Sequence, residues 1–219
     1  DPLWSRGLGD VYKRQAMKFL LYSLAGGLVM LFAVIGVGVH GGSFLLSDLA
    51  KVDFSGAIGK ELFVGFFIAF AIKAPMVPVH TWLPDTAEQA TAGASSLLVG
   101  LLDKIGTFGM LRLCLGLFPA ASDWATPFVL TLAIISVLWG AMMAATSSDL
   151  MRFVSYTSVS HFGFMVIGIF ALTTTSITGS IFYMFNHGFS TAALFLVLGF
   201  LAVSYTHLRP TRPERISYA

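Results

Sequence analysis

Six runs of apolar residues, each long enough to span a bilayer, leave this 219-residue chain few ways to fold. They cover approximately residues 19–40, 62–83, 92–118, 126–146, 150–172 and 178–202. At 1.5 Å per residue each can cross a hydrocarbon core roughly 30 Å thick. Helices satisfy their own backbone polar groups in lipid, so an all-α polytopic transmembrane helix bundle of about six spans follows. The short connections carry the expected breakers: Gly41-Gly42 with Asp48 and Asp53, Pro84-Asp85, Pro119 and Pro127, Ser147-Ser148-Asp149, and Thr173-Thr174-Thr175. A hydrophobic content of 56% against 11% charged residues agrees with a membrane protein.

Two segments at the chain ends differ from the rest. Residues 1–15 (DPLWSRGLGDVYKRQ) and 204–219 (SYTHLRPTRPERISYA) are polar, basic and without helical period. Both resemble translated adapter or vector sequence more than a natural membrane-protein terminus, so the expected division is a non-native 1–15, a membrane domain over 16–203 and a non-native 204–219. The net charge of +2 arises largely there, because six of the thirteen Lys and Arg residues lie in these segments. Residues 16–203 hold seven Lys/Arg against eight Asp/Glu, which gives no sign of nucleic-acid binding. A single cysteine, Cys114, in an apolar run offers no disulfide, zinc or iron–sulfur framework. There is no Gly-x-Gly-x-x-Gly and no Gly-Lys-Ser/Thr, and no redox cofactor is expected on the chain itself.

Against this background Lys73 and Lys104 stand out, each well inside an apolar run. An ammonium at bilayer depth costs at least about 2.5 to 3.5 kcal/mol, so such residues are functional candidates by default. In Phe70-Ala-Ile-Lys73-Ala-Pro75-Met-Val-Pro78-Val-His80, the two prolines remove backbone donors and break the helix beside Lys73. Broken helices at membrane depth line protein or water cavities. Lys73 and His80, seven apart, share a face if the helix persists. Snorkelling of Lys73 to an interface is the competing reading. In the third run, Leu101-Leu102-Asp103-Lys104, adjacent residues point about 100° apart, so Asp103 and Lys104 do not simply neutralise one another. Structural pairing of Asp103 with Lys104 or Arg112 competes with a proton-carrying role for Lys104.

His161 and His187 place imidazoles inside the fifth and sixth runs. Histidine relays protons through either ring nitrogen, although a lone intramembrane histidine also serves as a helix–helix hydrogen bond. The five histidines show no His-x-x-x-His spacing, and no metal site is expected.

Four stretches then carry a resemblance: Phe70–Gly93 (FAIKAPMVPVHTWLPDTAEQATAG), Leu97–Arg112 (LLVGLLDKIGTFGMLR), Asp149–Phe170 (DLMRFVSYTSVSHFGFMVIGIF) and Asn186–Phe200 (NHGFSTAALFLVLGF). In that order and spacing they resemble the subunit M family of the bacterial proton-pumping NADH:quinone oxidoreductase, respiratory complex I, most closely its actinobacterial version. The antiporter-like fold is shared with subunits L and N, with Mrp-type cation/proton antiporters and with membrane-bound hydrogenases; Thr157–Phe164 looks like M. The resemblance implies a multi-pass subunit of a bacterial plasma membrane that moves protons, driven by electron transfer elsewhere. NADH, FMN, iron–sulfur clusters and quinone would bind other subunits, and the membrane partners would include L and N.

By the same resemblance Lys73 matches the lysine of a broken helix that pairs with a glutamate two helices earlier. Lys104 matches the central lysine of the next helix, His187 the histidine of a second broken helix, and His161 and His80 weaker polar positions near the conducting axis. Lys18 and Arg152 would be cytoplasmic. Two departures stand out: the glutamate partner and the exit-side charge lie outside this sequence, and Ala90 stands where many relatives have proline. The implied mechanism is an electrostatic relay, in which displacement of Lys73's acidic partner releases its proton toward Lys104. The alternatives are an Mrp-type sodium/proton antiporter subunit and a purely structural membrane subunit.

Overall fold

The structure is a computed structural model that describes the backbone of residues 3–208 and the side chains of residues 13–201. Most of the two end segments expected to be non-native therefore lies outside the described side chains. All regular elements among the described residues are helical. They are α1 (Leu3–Gly41), a single turn α2 (Leu46–Leu49), α3 (Ala57–Lys73), α4 (Trp82–Gln89), α5 (Ala92–Leu97), α6 (Lys104–Gly109), α7 (Pro119–Ala145), α8 (Leu150–Phe170) and α9 (Thr174–Leu208). Two π-helical stretches, Leu98–Leu102 and Met110–Leu115, flank α6.

Four of these helices are long and apolar enough to cross a membrane: Lys13–Gly41 of α1, α7, α8 and Thr174–Leu201 of α9. The second and third apolar runs of the sequence are instead divided. In the second, α3 stops at Lys73, because Pro75 and Pro78 supply no backbone donor. The groups freed by the break find partners. The Trp82 indole donates to Ile72 O at 2.9 Å, Met76 N to Ala71 O at 3.1 Å, and Val77 N to the Ser136 hydroxyl of α7 at 3.2 Å. That satisfaction is what allows irregular backbone at membrane depth. In the third run the π turns widen the helix on either side of Lys104–Gly109, a distortion that commonly marks functional sites.

As the intervening prolines predict, the helix does not persist from Lys73 to His80, so their seven-residue spacing does not place them on one face. Two expectations are corrected. No break occurs at His187: α9 is continuous through it, since Thr174–Leu208 contains no proline and every residue keeps its backbone donor. The fourth span starts earlier than residue 126, with Pro119 at the first helical position, where its missing N–H costs nothing, and with Pro127 absorbed inside the helix.

Small residues set the closest helix approaches, as is usual where lipid gives no hydrophobic drive. A methyl on Gly140 of α7 would lie 2.6 Å from Ser160 N, and one on Gly163 of α8 would lie 2.7 Å from Ala133 O. Ser160 adds an interhelical bond to Val137 O at 3.0 Å. A phenylalanine-rich core joins α3, the α6–α7 junction and the end of α8, through Phe63, Phe66, Phe67, Phe118 and Phe170. At the opposite end of the bundle, Asp85 of α4 accepts from Lys18 of α1 at 2.6 Å and from Arg152 of α8 at 2.9 Å, and Arg152 also reaches Glu88 at 2.7 Å. Lys18 and Arg152 thus share one face of the bundle, as their positions in the sequence suggest.

Candidate functional site

Three of the five expected residues converge. Lys104 enters from α6, and its Nζ stands 2.8 Å from His187 Nδ1 of α9. It also donates to Val99 O, a carbonyl of the preceding π turn. Widening of the helix at Leu98–Leu102 leaves such a carbonyl accessible, because its bonding to the following turn is rearranged. His161 of α8 approaches the same point, with its ring centroid 5.1 Å from that of His187. The Phe162 ring lies 5.1 Å from Lys104 Nζ, a cation–π contact that helps to hold the ammonium away from water.

Close approach of α9 to the third apolar run makes this possible. A methyl on Gly188 would meet Gly100 O at 2.9 Å, and one on Gly100 would meet Ala192 Cβ at 3.0 Å. A side chain at either position would press the two helices apart at the point where Lys104 meets His187.

Two further residues adjoin the site, Tyr183, which carried no weight in the sequence, and Asp103, which entered there only as an ion-pair partner. Tyr183 hydrogen-bonds His161 Nδ1, and its ring centroid is 6.4 Å from that of His187. It stands four residues before His187 on α9, so helical spacing alone puts the two on one face. Asp103 is fully buried, and neither carboxylate oxygen has a hydrogen-bond partner among the described residues. It pairs with neither Lys104 nor Arg112 within 4.0 Å among the described residues, which removes the structural ion pair considered from the sequence.

The other two expected residues lie elsewhere. Lys73 is half-buried at the last turn of α3, where the helix dipole favours a cation, and no described carboxylate lies within 4.0 Å of it. His80 is buried beyond the break with Nδ1 unbonded among the described residues, its ring 6.4 Å from that of Tyr156. It belongs with the Asp85–Arg152 cluster rather than with Lys104, since Tyr156 also accepts from Arg152 at 3.3 Å.

Chemically, the site holds two hydrogen-bonded pairs of groups that can gain and lose a proton, Lys104 with His187 and Tyr183 with His161, and the two imidazole rings stand 5.1 Å apart between centroids. An ammonium donates to an imidazole lone pair, and the same contact works in reverse once the proton has crossed. A cavity of about 760 Å³ opens beside Lys104, lined chiefly by apolar residues such as Leu101, Phe108 and Phe185, with Arg112 and Ser96 among its few polar groups. A smaller one of about 250 Å³ adjoins His161, between Thr157, Ser160 and the alanines at the end of α7.

Comparison with known proteins gives the family of the chain. The family model described as NADH:quinone oxidoreductase/Mrp antiporter, transmembrane, matches residues 10–213. NADH-quinone oxidoreductase subunit M of Mycobacterium tuberculosis is 50% identical over 206 residues, 89% of this chain and 37% of that protein. The Escherichia coli K12 subunit M is 40% identical over 205 residues, 90% of this chain and 40% of that protein. Among solved structures, respiratory complex I from Thermus thermophilus superposes with a TM-score of 0.82 at 33% identity, covering 87% of this chain and 41% of the matched one. The Mrp complex from Dietzia sp. superposes with a TM-score of 0.78 at 27% identity, over 86% and 21%. The chain thus spans about two fifths of the length of the curated subunits it matches. With a family match running through all but the outermost residues, the chain belongs to the NADH:quinone oxidoreductase/Mrp antiporter transmembrane family.

Proposed function

We propose that the chain is the central portion of a proton-translocating membrane subunit of an NADH:quinone oxidoreductase. It carries protons through Lys104 and His187, with His161 and Tyr183 as the adjoining relay. The observation that carries this reading is the 2.8 Å contact between Lys104 Nζ and His187 Nδ1, two ionisable groups bonded to each other inside the bundle. A structural subunit has no need of such a pair, given the cost of a buried cation. Identity to subunit M relatives supports coupling to quinone reduction, with L- and N-type neighbours in a bacterial plasma membrane. Lys73, at the broken end of α3, is the site that delivers or receives the proton on the side away from His187.

Moving one charge against 100 mV takes about 2.3 kcal/mol, which a change in pairing of a buried cation readily supplies. The test is proton uptake by inverted membrane vesicles driven by NADH, with the full-length subunit carrying Lys104→Ala. Fewer protons per NADH at normal subunit abundance supports the relay, and unimpaired pumping refutes it. The same vesicles given a sodium gradient and no NADH separate this reading from an Mrp-type exchange, which would acidify or alkalinise them without electron transfer.

A further inference from the structure

Asp103 is the least explained group in the bundle. It has no exposed surface, and both carboxylate oxygens lack a hydrogen-bond donor among the described residues. An ionised carboxylate in that state is costly, and most buried charges are paired, hydrogen-bonded or neutralised. Its backbone sits at the exit of the first π turn, with the Asp103 N–H bonded to Leu98 O, five residues back, at 3.1 Å. The widened turn sets the facing of Asp103 and Lys104. Lys104 reaches toward α9 and His187. Asp103 shares its face with Gly106, three residues on, and Gly106 is pressed against the broken end of α3, where an added methyl would lie 2.5 Å from Ala74 N and 2.8 Å from Phe70 O. Ala74 follows Lys73 directly. Asp103 therefore stands on the α3 side of the third apolar run, next in sequence to one candidate lysine and across a tight helix contact from the other.

We propose that Asp103 is a proton-carrying station between Lys73 and Lys104, an acid supplied by this chain rather than by a neighbouring subunit. In the first step an N–H bond of the Lys73 ammonium breaks, the electron pair stays on nitrogen, and an O–H bond forms on Asp103. In the second the Asp103 O–H breaks and the neutral Lys104 amine takes the proton, leaving a carboxylate beside an ammonium. One proton moves in each step, and no other bond changes. Lys104 has the reach to accept it, since its flexible stem need only swing from Val99 O and His187 toward its own neighbour. The buried acid with no fixed partner is suited to this role, because no permanent ion pair holds its charge state constant.

The inference rests on the proton-translocating reading, and its test separates the two. Asp103→Asn and Asp103→Glu are introduced into the full-length subunit of the intact complex, together with Lys104→Ala. Proton uptake per NADH and subunit abundance are then measured in inverted vesicles. The expected result is a several-fold lower proton yield for Asp103→Asn at retained abundance, with partial recovery in Asp103→Glu. Infrared difference spectra of turnover should also lose a protonated-carboxyl band in Asp103→Asn. Should Asp103→Asn fail to assemble, Asp103→Leu, which leaves no buried polar group, serves in its place. An unchanged proton yield and an unchanged carboxyl band in either variant overturn the proposal. If Lys104→Ala is also unimpaired, the proton-translocating reading falls with it; if only Lys104→Ala loses pumping, Asp103 alone is excluded.

Discussion

Replacing Gly106 by alanine tests whether the contact between the broken helix and α6 is as tight as the structure makes it. A methyl there would stand 2.5 Å from Ala74 N, 2.7 Å from Ala74 Cβ and 2.8 Å from Phe70 O. Two of the three are backbone atoms of the α3 terminus, which has no side-chain rotation with which to yield. Overpacking of this kind costs about 1 to 3 kcal/mol. Alanine recovers roughly 0.5 to 1 kcal/mol over glycine in a helix interior. The net loss lies between about 0 and 2.5 kcal/mol and centres on about 1 kcal/mol, a factor of roughly 5 in the folded-to-unfolded ratio. Gly179 on α9 is the matched control, since a methyl there meets nothing within 4 Å and should stabilise the helix slightly. Detergent titration of the full-length subunit in mixed micelles, followed by circular dichroism, reads both. Gly106→Ala should lower the midpoint and Gly179→Ala should hold or raise it; equal midpoints would refute the packing at the break, and with it the placement of Asp103 against α3.

Other consequences follow from single contacts. Trp82→Phe removes the indole donor to Ile72 O and leaves a carbonyl of the break unbonded, at a cost of about 1 to 3 kcal/mol in the same titration. A double-mutant cycle of Lys18→Met and Asp85→Asn should return a coupling of only about 0.5 to 1 kcal/mol, because the pair is partly exposed, with side chains at 31% and 20%. Tyr183→Phe breaks the hydrogen bond to His161 while keeping the ring, so proton yield per NADH should fall with subunit abundance unchanged. Gly188→Val should separate α9 from the third run and lower proton yield as Lys104→Ala does, since its side chain would enter the space now taken by Gly100 O.

Much of the bundle was legible in the sequence because its signals are local. Apolar runs predict helices, Pro75 and Pro78 predict the end of α3, and buried lysines announce themselves by their cost in lipid. Lys104 and His187 were each identified, yet their contact was not, since it depends on two glycines, Gly100 and Gly188, from helices far apart in sequence. The π turns were invisible for a related reason: no residue type encodes them, and they arise from how the third run packs on its neighbours. His80 illustrates the opposite failure, because its spacing from Lys73 carried meaning only for a helix that the intervening prolines end. Tyr183 was within reach of helical spacing from His187, but an aromatic in an apolar run reads as packing until a partner is seen.

The central claim is that Lys104 and His187 act as one proton-conducting unit. It is tested most directly by proton yield per NADH in the full complex with Lys104→Ala, His187→Ala and the two combined. Groups that act as a unit are strongly non-additive, so the double variant should lose no more pumping than the worse of the single ones. Losses that multiply would contradict the account by showing that the two residues serve separate paths.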